Sequence, residues 1–427
     1  MADHMIMLTA SAAQAIRSGN GWGHLTLKVS GPELLAGVSA VSSGNGPKMA
    51  TEPAPLGHFV RSGDDIATGH WYRVPAFVNL QWLFARAQDG MIELAVFRGL
   101  IPNGFRSPGG GAYLAITHAL DAEAEFPEMT VPEFALWRLT AEGALPLPIS
   151  VQPTRTGMPA LEPHWPVAEL AETTMLVVGT GSIGGAVAHA LAGYGIGRLH
   201  LLDPDRLQWH NLPRHVCGER HVGRFKVNAL RDDLAELRPD TTVEQHVLNV
   251  VTDADKVRDL LTEVDLVLCA ADGVPPRQVV SHLARRAGKT AVLACVLETG
   301  GLGEIIRLRP WADVGCLGCQ REALFNAGGL RPEPTLDAEY GIGTTHRPMT
   351  AVGADLHLVG QLAAKVAVAT LLERQGHHDQ VLGGEHGVIA LRPQPGWLPP
   401  YDVNRLGAVT WHPAGPPSPG CPTCEAP

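Results

Sequence analysis

The chain has 427 residues, a formal net charge of −10 and 18% charged residues, and this length is enough for two domains. The acidic balance, with no basic block along the chain, excludes a surface that binds nucleic acid. No apolar run reaches the length of a bilayer span and no signal peptide opens the chain, so we expect a cytoplasmic protein without a membrane contact.

The first 165 residues are predicted to form a smaller α+β domain without any cysteine. Hydrophobic patterns predict its elements as a helix, two strands and a helix, at 8–18, 70–83, 92–96 and 131–139. The domain type stays open between a plain structural core, a docking domain for a protein partner and an inactive relative of a conjugating domain. A proline-rich connector, 146–166, leads to a second domain that we place at 166–427.

A strand, a glycine-rich turn, a helix and a second strand follow the connector. Their predicted bounds are 175–178, 179–184, 185–194 and 198–203. Gly179, Gly181 and Gly184 let the backbone approach a phosphate at the helix N-terminus. Asp203, at the end of the second strand, can accept hydrogen bonds from ribose hydroxyls. This βαβ unit predicts a nucleotide site in an α/β domain.

Charged and amide side chains crowd the stretch that comes next. It contains Asp205, Asn211, Arg214 and Lys226. The set suits a polyphosphate with a divalent cation, because cations neutralise phosphate oxygens and carboxylates hold magnesium with its waters. A later apolar strand ends in Asp272, at the sheet edge where ligands of open α/β sheets bind. The first alternative is an NAD(P)-dependent oxidoreductase, in which Asn211, Arg214, Lys226 and Asp272 would have no function.

Taken in order, the stretches VVGTGSIGG, LLDPD, NLPRH and VGRFKV and the strand that ends in Asp272 resemble the ThiF/MoeB family of adenylating enzymes, which includes the ubiquitin-activating enzymes. The resemblance covers about residues 170–424 and implies a Rossmann-like adenylation domain with a mostly parallel sheet. The roles that it implies are the ribose for Asp203, the phosphates for Asn211, Arg214 and Lys226, magnesium for Asp272, and a place beside them for Asp205.

The same resemblance implies what the protein acts on. ATP would be one substrate, and the other would be the C-terminal carboxylate of a ubiquitin-like or sulfur-carrier protein, or of a peptide, in a bacterial pathway. A homodimer and a conjugating or sulfur-transfer partner are also expected. The arginine motif that usually reaches across the dimer is missing, and only Arg155 stands at a comparable distance upstream. A nucleotide-binding scaffold without turnover is therefore the second alternative.

All seven cysteines follow residue 216, and four of them form two CxxC pairs. The pairs are Cys316 with Cys319 and Cys421 with Cys424. Paired CxxC units are typical of a tetrathiolate zinc site, and such a site is structural because four thiolates leave no open coordination position. Zinc is also common at this place in the family that the chain resembles. Two disulfides are the alternative, which a cytoplasmic chain disfavours.

The remaining cysteines decide whether a thioester can form on the chain. Relatives that form one place the cysteine in the loop after the first CxxC pair, but residues 320–420 contain none. Cys269 and Cys295 fall in apolar strands, where burial raises the pKa of a thiol. Cys217, close to Arg214, is then the one candidate reactive thiol. We expect that the chain stops at the acyl-adenylate or passes the acyl group directly to a partner.

Overall fold

The computed structural model describes residues 5–30, 35–50, 65–120, 126, 129–153, 157–297, 300–329 and 351–425. The chain divides into two compact units, Met1–Thr156 and Gly157–Pro427. The division therefore falls inside the predicted connector, nine residues before the boundary expected at 165.

The first unit contains a ten-stranded mixed sheet. Its strands are β1 (Met5–Leu8), β2 (Trp22–Ser30), β3 (Leu35–Ser43), β4 (Lys48–Ala50), β5 (Asp65–Val74), β6 (Ile92–Glu93), β7 (Tyr113–Ala119), β8 (Phe134–Leu139), β9 (Gly143–Leu147) and β10 (Ile149–Val151). Nine of them follow the order β10-β1-β3-β2-β5-β7-β8-β9-β6, and β4 pairs with β3. The helices are α1 (Ala10–Ser18), α2 (Ala76–Ala87) and α3 (Leu94–Leu100).

Three predicted elements of this unit are wrong. The second half of the strand expected at 70–83 belongs to helix α2, whose buried residues include Ala76, Asn79 and Trp82 at helical spacing. Most of the strand expected at 92–96 belongs to α3. The helix expected at 131–139 is strand β8, which is buried on both faces. A strand enclosed on both faces lacks the alternation that distinguishes it from a helix.

Three tryptophan side chains lie in the core of the first unit, and each indole N–H has a hydrogen-bond acceptor. Trp71 and Trp137 are fully buried and Trp82 nearly so. Their indole N–H groups donate to Ser42 O at 2.9 Å, Thr117 Oγ1 at 2.9 Å and Leu136 O at 2.8 Å, respectively. Each buried indole thus has the acceptor that it needs.

The second unit contains an eight-stranded sheet in the order β13-β12-β11-β14-β15-β16-β17-β18. The strands are β11 (Thr174–Val178), β12 (Arg198–Leu202), β13 (Thr242–His246), β14 (Leu266–Cys269), β15 (Thr290–Leu297), β16 (Leu302–Leu308), β17 (His386–Ala390) and β18 (Val409–His412). The helices are α4 (Val167–Ala171), α5 (Ser182–Tyr194), α6 (Lys226–Leu237), α7 (Ala254–Thr262), α8 (Val274–Arg286), α9 (Leu317–Asn326) and α10 (Gly353–Arg374).

The strand directions place the candidate site at one edge of this sheet. Strands β13, β12, β11, β14 and β15 pair in parallel, and the last three pairs are antiparallel. Parallel strands bring their carboxyl ends to a common edge, which is where such sheets bind ligands. The predicted Rossmann-like sheet, mostly parallel, is confirmed. The two strands and the helix expected between 175 and 203 lie within a few residues of the observed ones.

Helix α10 is apolar because it is a core helix. It is the one described helix that is long and apolar enough to cross a membrane, but 67% of its most apolar window is buried inside the unit. Its residues Val359, Ala363 and Val366 are fully buried in the cluster that also holds α5 and the sheet. Burial of this kind accounts for the composition of the helix without a bilayer.

Candidate nucleotide site and metal centre

The glycine-rich turn between β11 and α5 is shaped by close backbone approaches. Gly179 has a φ of +83°, and a Cβ there would lie 2.6 Å from Ala271 N. A Cβ on Gly184 would lie 1.7 Å from Gly179 O. Gly181 differs, because its Cβ would meet nothing within 4 Å. It precedes α5 without a side-chain cap, so its missing side chain leaves open space before a helix N-terminus, where a phosphate fits.

Asp203 follows β12 and faces this turn. Its Oδ2 accepts from Thr180 N at 2.7 Å and its Oδ1 from Asp205 N at 2.8 Å. The residue is only 5% exposed. Burial raises the pKa of this carboxyl, and the neighbouring Lys226 ammonium opposes that rise. Two backbone donors therefore fix the carboxylate that the sequence assigned to the ribose.

Lys226 lies at the start of α6, among the acids. Its Nζ donates to Asp205 Oδ2 at 2.8 Å, and its backbone N donates to Asp205 O at 2.9 Å. The residue is 8% exposed. Burial by itself would lower its pKa, but the charges of Asp203 and Asp205 outweigh burial and the pKa is raised. A protonated ammonium is thus held inside the site, where it can meet phosphate oxygens.

Asp272 comes after β14, at the carboxyl edge of the sheet. The residue is exposed. Protein atoms packed around the carboxyl raise its pKa, and the charges of Arg214, Lys226 and Arg277 oppose the rise. The charges of Asp203, Asp205 and Asp272 all act on Lys226, so the three acids and this ammonium lie in one region of the sheet edge.

Asn211 has a local role that the sequence did not reveal. It is buried, and its Oδ1 accepts from Gln208 N at 2.9 Å, which closes a short helical turn at Trp209–Asn211. The turn leads directly to Arg214, which is partly exposed. The assignment of Asn211 to a phosphate remains a prediction. Arg155 lies outside the described residues.

His215 is a site residue that the sequence analysis missed. Its Nδ1 accepts from Cys217 N at 3.0 Å, so Nε2 must carry the proton that it donates to Thr180 O at 2.9 Å. Burial lowers the pKa of this imidazole to about 4. Helix α10 adds a second anchor, because His357 Nε2 donates to Arg214 O at 2.8 Å. The imidazole of His215 therefore joins the Arg214 loop to the glycine turn.

Replacing His215 should weaken ATP binding in a way that depends on the replacement. His215→Ala removes both hydrogen bonds, and we expect affinity to fall up to about 30-fold, since each bond contributes on the order of 1 kcal/mol. In His215→Gln the amide can donate to Thr180 O and accept from Cys217 N, so most affinity should return. Calorimetric titration with ATP measures both, and equal loss in the two variants would contradict the role of His215.

The stability of His215→Gln should also depend on pH less strongly than that of the wild type. Folded His215 stays neutral down to about pH 4, whereas the unfolded residue protonates near 6.5. Its contribution to stability is therefore full above about pH 6.5 and is lost as the pH falls towards 4. Between about pH 6.5 and 4, the free energy of unfolding should therefore fall less in His215→Gln than in the wild type.

The two CxxC pairs come together in the second unit. Cys316 Sγ lies 3.8 Å from Cys319 Sγ and 3.6 Å from Cys421 Sγ, and Cys319 Sγ lies 3.9 Å from Cys424 Sγ. Four sulfurs placed 2.3 Å from one zinc would be about 3.8 Å apart, whereas a disulfide needs about 2.05 Å. Backbone N–H groups of Cys316 and Ser418 also donate to two of the sulfurs. This centre could hold zinc.

The structure corrects the expectation about reactive thiols. Cys217 is 2% exposed, and burial together with the neighbouring Asp233 raises its pKa, so it is a poor nucleophile. Cys269 is fully buried and burial raises its pKa to about 11. Cys295 is not enclosed by apolar groups as expected. It is partly exposed, and Arg277 Nη1 lies 3.3 Å from its Sγ.

The second unit is a Rossmann-like α/β domain that brings Asp203, Lys226 and Asp272 together at the carboxyl edge of its parallel strands. The model of the ThiF family matches residues 162–383, and the chain belongs to that family. It is 34% identical over 134 residues to "Adenylyltransferase and sulfurtransferase uba4" of Emericella nidulans, covering 31% of this chain and 27% of that protein.

Other relatives overlap more of the chain. "Ubiquitin-like modifier-activating enzyme 5" of Oryza sativa subsp. japonica is 31% identical over 207 residues, covering 46% of this chain and 48% of that protein. The solved structure of the microcin C7 biosynthetic enzyme MccB in complex with N-formylated MccA overlaps 60% of this chain and 69% of that chain, with 20% identity and a TM-score of 0.46. The chain spans roughly a quarter to a half of the length of the curated relatives named here.

Proposed function

We propose that the protein adenylates the C-terminal carboxylate of a ubiquitin-like or sulfur-carrier protein, or of a peptide, and releases pyrophosphate. The observation that carries the proposal is the meeting of Asp203, Lys226 and Asp272 at one sheet edge, beside the glycine turn. A ubiquitin-like pathway is the setting that we infer, with family membership as its support.

The reaction is an attack at the α-phosphate of ATP. A carboxylate oxygen of the substrate forms a bond to the α-phosphorus, and the bond from that phosphorus to the bridging oxygen breaks. The electron pair leaves with pyrophosphate, and the substrate becomes an acyl-adenylate. Lys226 and Arg214 would neutralise phosphate oxygens as charge develops, and Asp203 would hold the ribose.

A magnesium ion, when bound, would share the phosphate charge. Asp272, which lies near the charges of Arg214, Lys226 and Arg277, would hold it, and Asp205 would join once ATP displaces it from Lys226. Zinc would be held by the four cysteines and would tie the C-terminal segment to α9. A homodimer, and a docking role for the first unit towards a conjugating or sulfur-transfer partner, complete the proposal.

ATP–pyrophosphate exchange tests the proposal. Labelled pyrophosphate should enter ATP only when a carboxylate substrate is present, so the probes are ubiquitin-like proteins and peptides that end in glycine. The matched control is the same polypeptide with a C-terminal amide, which cannot attack phosphorus. Failure of every free carboxylate to support exchange, with ATP still bound, would favour the scaffold without turnover.

No stable thioester should form on this chain. Cys217 and Cys269 are buried with raised pKa values, and a thiol in that state is a weak nucleophile. Incubation with ATP, magnesium and the substrate, followed by a non-reducing gel, should show no adduct that a thiol reagent removes. An adduct that disappears in Cys295→Ala would contradict this prediction and identify the partly exposed Cys295 as the acceptor.

A further inference from the structure

A second group of metal-binding side chains lies at the edge of the sheet, apart from the four cysteines. It consists of His200 on β12 and of Glu244 and His246 on the edge strand β13. Their ligand atoms all lie within 4.8 Å of one another. The candidate nucleotide site uses none of these three residues, and no sequence motif described above contains them.

The parallel register creates this arrangement. His200 pairs with Glu244, and Leu202 pairs with His246. Side chains two residues apart on a strand share a face, so the carboxylate and both imidazoles point the same way. His200 Nδ1 lies 3.0 Å from His246 Nε2 and 3.9 Å from Glu244 Oε2. Two rigid, adjacent strands therefore hold three ligand atoms in one small volume.

The distances fit one ion after a small adjustment. Two imidazole nitrogens bound tetrahedrally to zinc at about 2.05 Å lie about 3.3 Å apart. The two rings would part by a few tenths of an ångström from their 3.0 Å hydrogen bond. The proton between His200 Nδ1 and His246 Nε2 must be removed before both nitrogens can bind the ion. A neutral imidazole can do this by carrying its proton on its other ring nitrogen.

The carboxylate is already oriented for this role. Arg198 Nη1 holds Glu244 Oε1 at 3.0 Å, which leaves Oε2 directed at the imidazoles. Outer partners that orient ligands in this way are a usual part of metal sites. A cleft of about 390 Å³ reaches His200, and the charged residues among its described lining are Glu172, Asp240 and Glu263 against Arg198. An excess of carboxylates in this lining favours a cation.

We propose that His200, Glu244 and His246 form a second divalent metal site, of the kind that takes Zn²⁺ or Co²⁺. Two imidazoles and one carboxylate are ligands that such ions accept. The ion would tie the edge strand β13 to β12, close to Asp203, whose backbone N donates to His246 O at 3.2 Å. The proposal does not depend on adenylation.

Metal titration of the full chain tests the site. Equilibrium titration with Co²⁺, and elemental analysis after Zn²⁺ loading, should find one ion per chain more in the wild type than in His246→Ala. This difference does not depend on whether the four-cysteine centre also binds an ion. Cobalt bound here should also lack the sulfur-to-metal charge-transfer absorption that a thiolate site gives.

Two further variants provide a ligand substitution and a control. Glu244→Gln preserves the imidazole pair and the fold, and it should weaken this site at least tenfold. His377→Ala is the matched control, because it removes a histidine that contacts a carboxylate, with Nε2 2.8 Å from Glu169 Oε2, outside the three-residue group. It should leave the metal count unchanged. An equal count and affinity in the wild type, His246→Ala and Glu244→Gln would overturn the proposal and leave a simple imidazole hydrogen bond.

Discussion

Asp272→Ala should abolish substrate-dependent pyrophosphate exchange, with a loss of at least about 10²–10³-fold. The carboxylate lies at the carboxyl edge of the sheet, within electrostatic reach of Arg214, Lys226 and Arg277. Without it, a bound magnesium ion loses its protein anchor beside the phosphates, while the cations that attract ATP remain. ATP should therefore still bind in the absence of magnesium, and only the chemical step should fail.

The control for this variant is a matched carboxylate away from the cleft. Asp255 lies in the first turn of α7 and is exposed, so Asp255→Asn should leave exchange and stability within experimental error. Thermal unfolding of Asp272→Ala should also match the wild type, because exposed substitutions usually change stability by less than about 0.5 kcal/mol. Full exchange by Asp272→Ala would remove this residue from the proposed magnesium site.

Loss of the four-cysteine centre should have the largest effect on stability. Cys421→Ser combined with Cys424→Ser removes half of the ligands, and structural zinc contributes on the order of 10 kcal/mol in small zinc domains. The second unit has its own core, so we expect a fall of several kcal/mol rather than complete unfolding. Thermal unfolding with and without a chelator measures the effect, and elemental analysis measures the metal.

A separate cysteine provides the comparison. Cys295 is partly exposed and lies outside the four-cysteine group, so Cys295→Ser should keep the full metal content. Protein purified under reducing conditions that contains no metal, and that unfolds like the double variant, would contradict the zinc assignment. In protein purified without a reductant, a mass lower by two hydrogens per pair would then support disulfides.

The second unit could be predicted largely because its signals are local. The glycine turn, the acid after β12 and the strand before Asp272 each fall within a short stretch, and the parallel sheet brings them to one edge. The four cysteines were recognisable for a different reason, since thiolates in two CxxC pairs have few other uses. The wide sequence gap between the pairs did not obscure them.

The first unit could not be predicted in the same way, because long-range pairing forms it. Strand β1 lies between β3 and β10, so Ile6 pairs with both Ala36 and Ile149. No local pattern encodes such a neighbour, and strands buried on both faces resemble short helices in sequence. The role of His215 and the surroundings of Cys295 were hidden for a similar reason. His215 contacts the backbone of Thr180, and Cys295 contacts Arg277, and both partners are distant in sequence.

Heavy-oxygen labelling of the substrate carboxylate tests adenylation most directly. A glycine-terminated protein or peptide that supports exchange would be labelled in its C-terminal carboxylate and taken through one turnover to an added amine. Attack at the α-phosphorus places one labelled oxygen in AMP when the acyl group is transferred, and we predict that result. Label recovered in inorganic phosphate would mean attack at the γ-phosphate, and it would contradict the account.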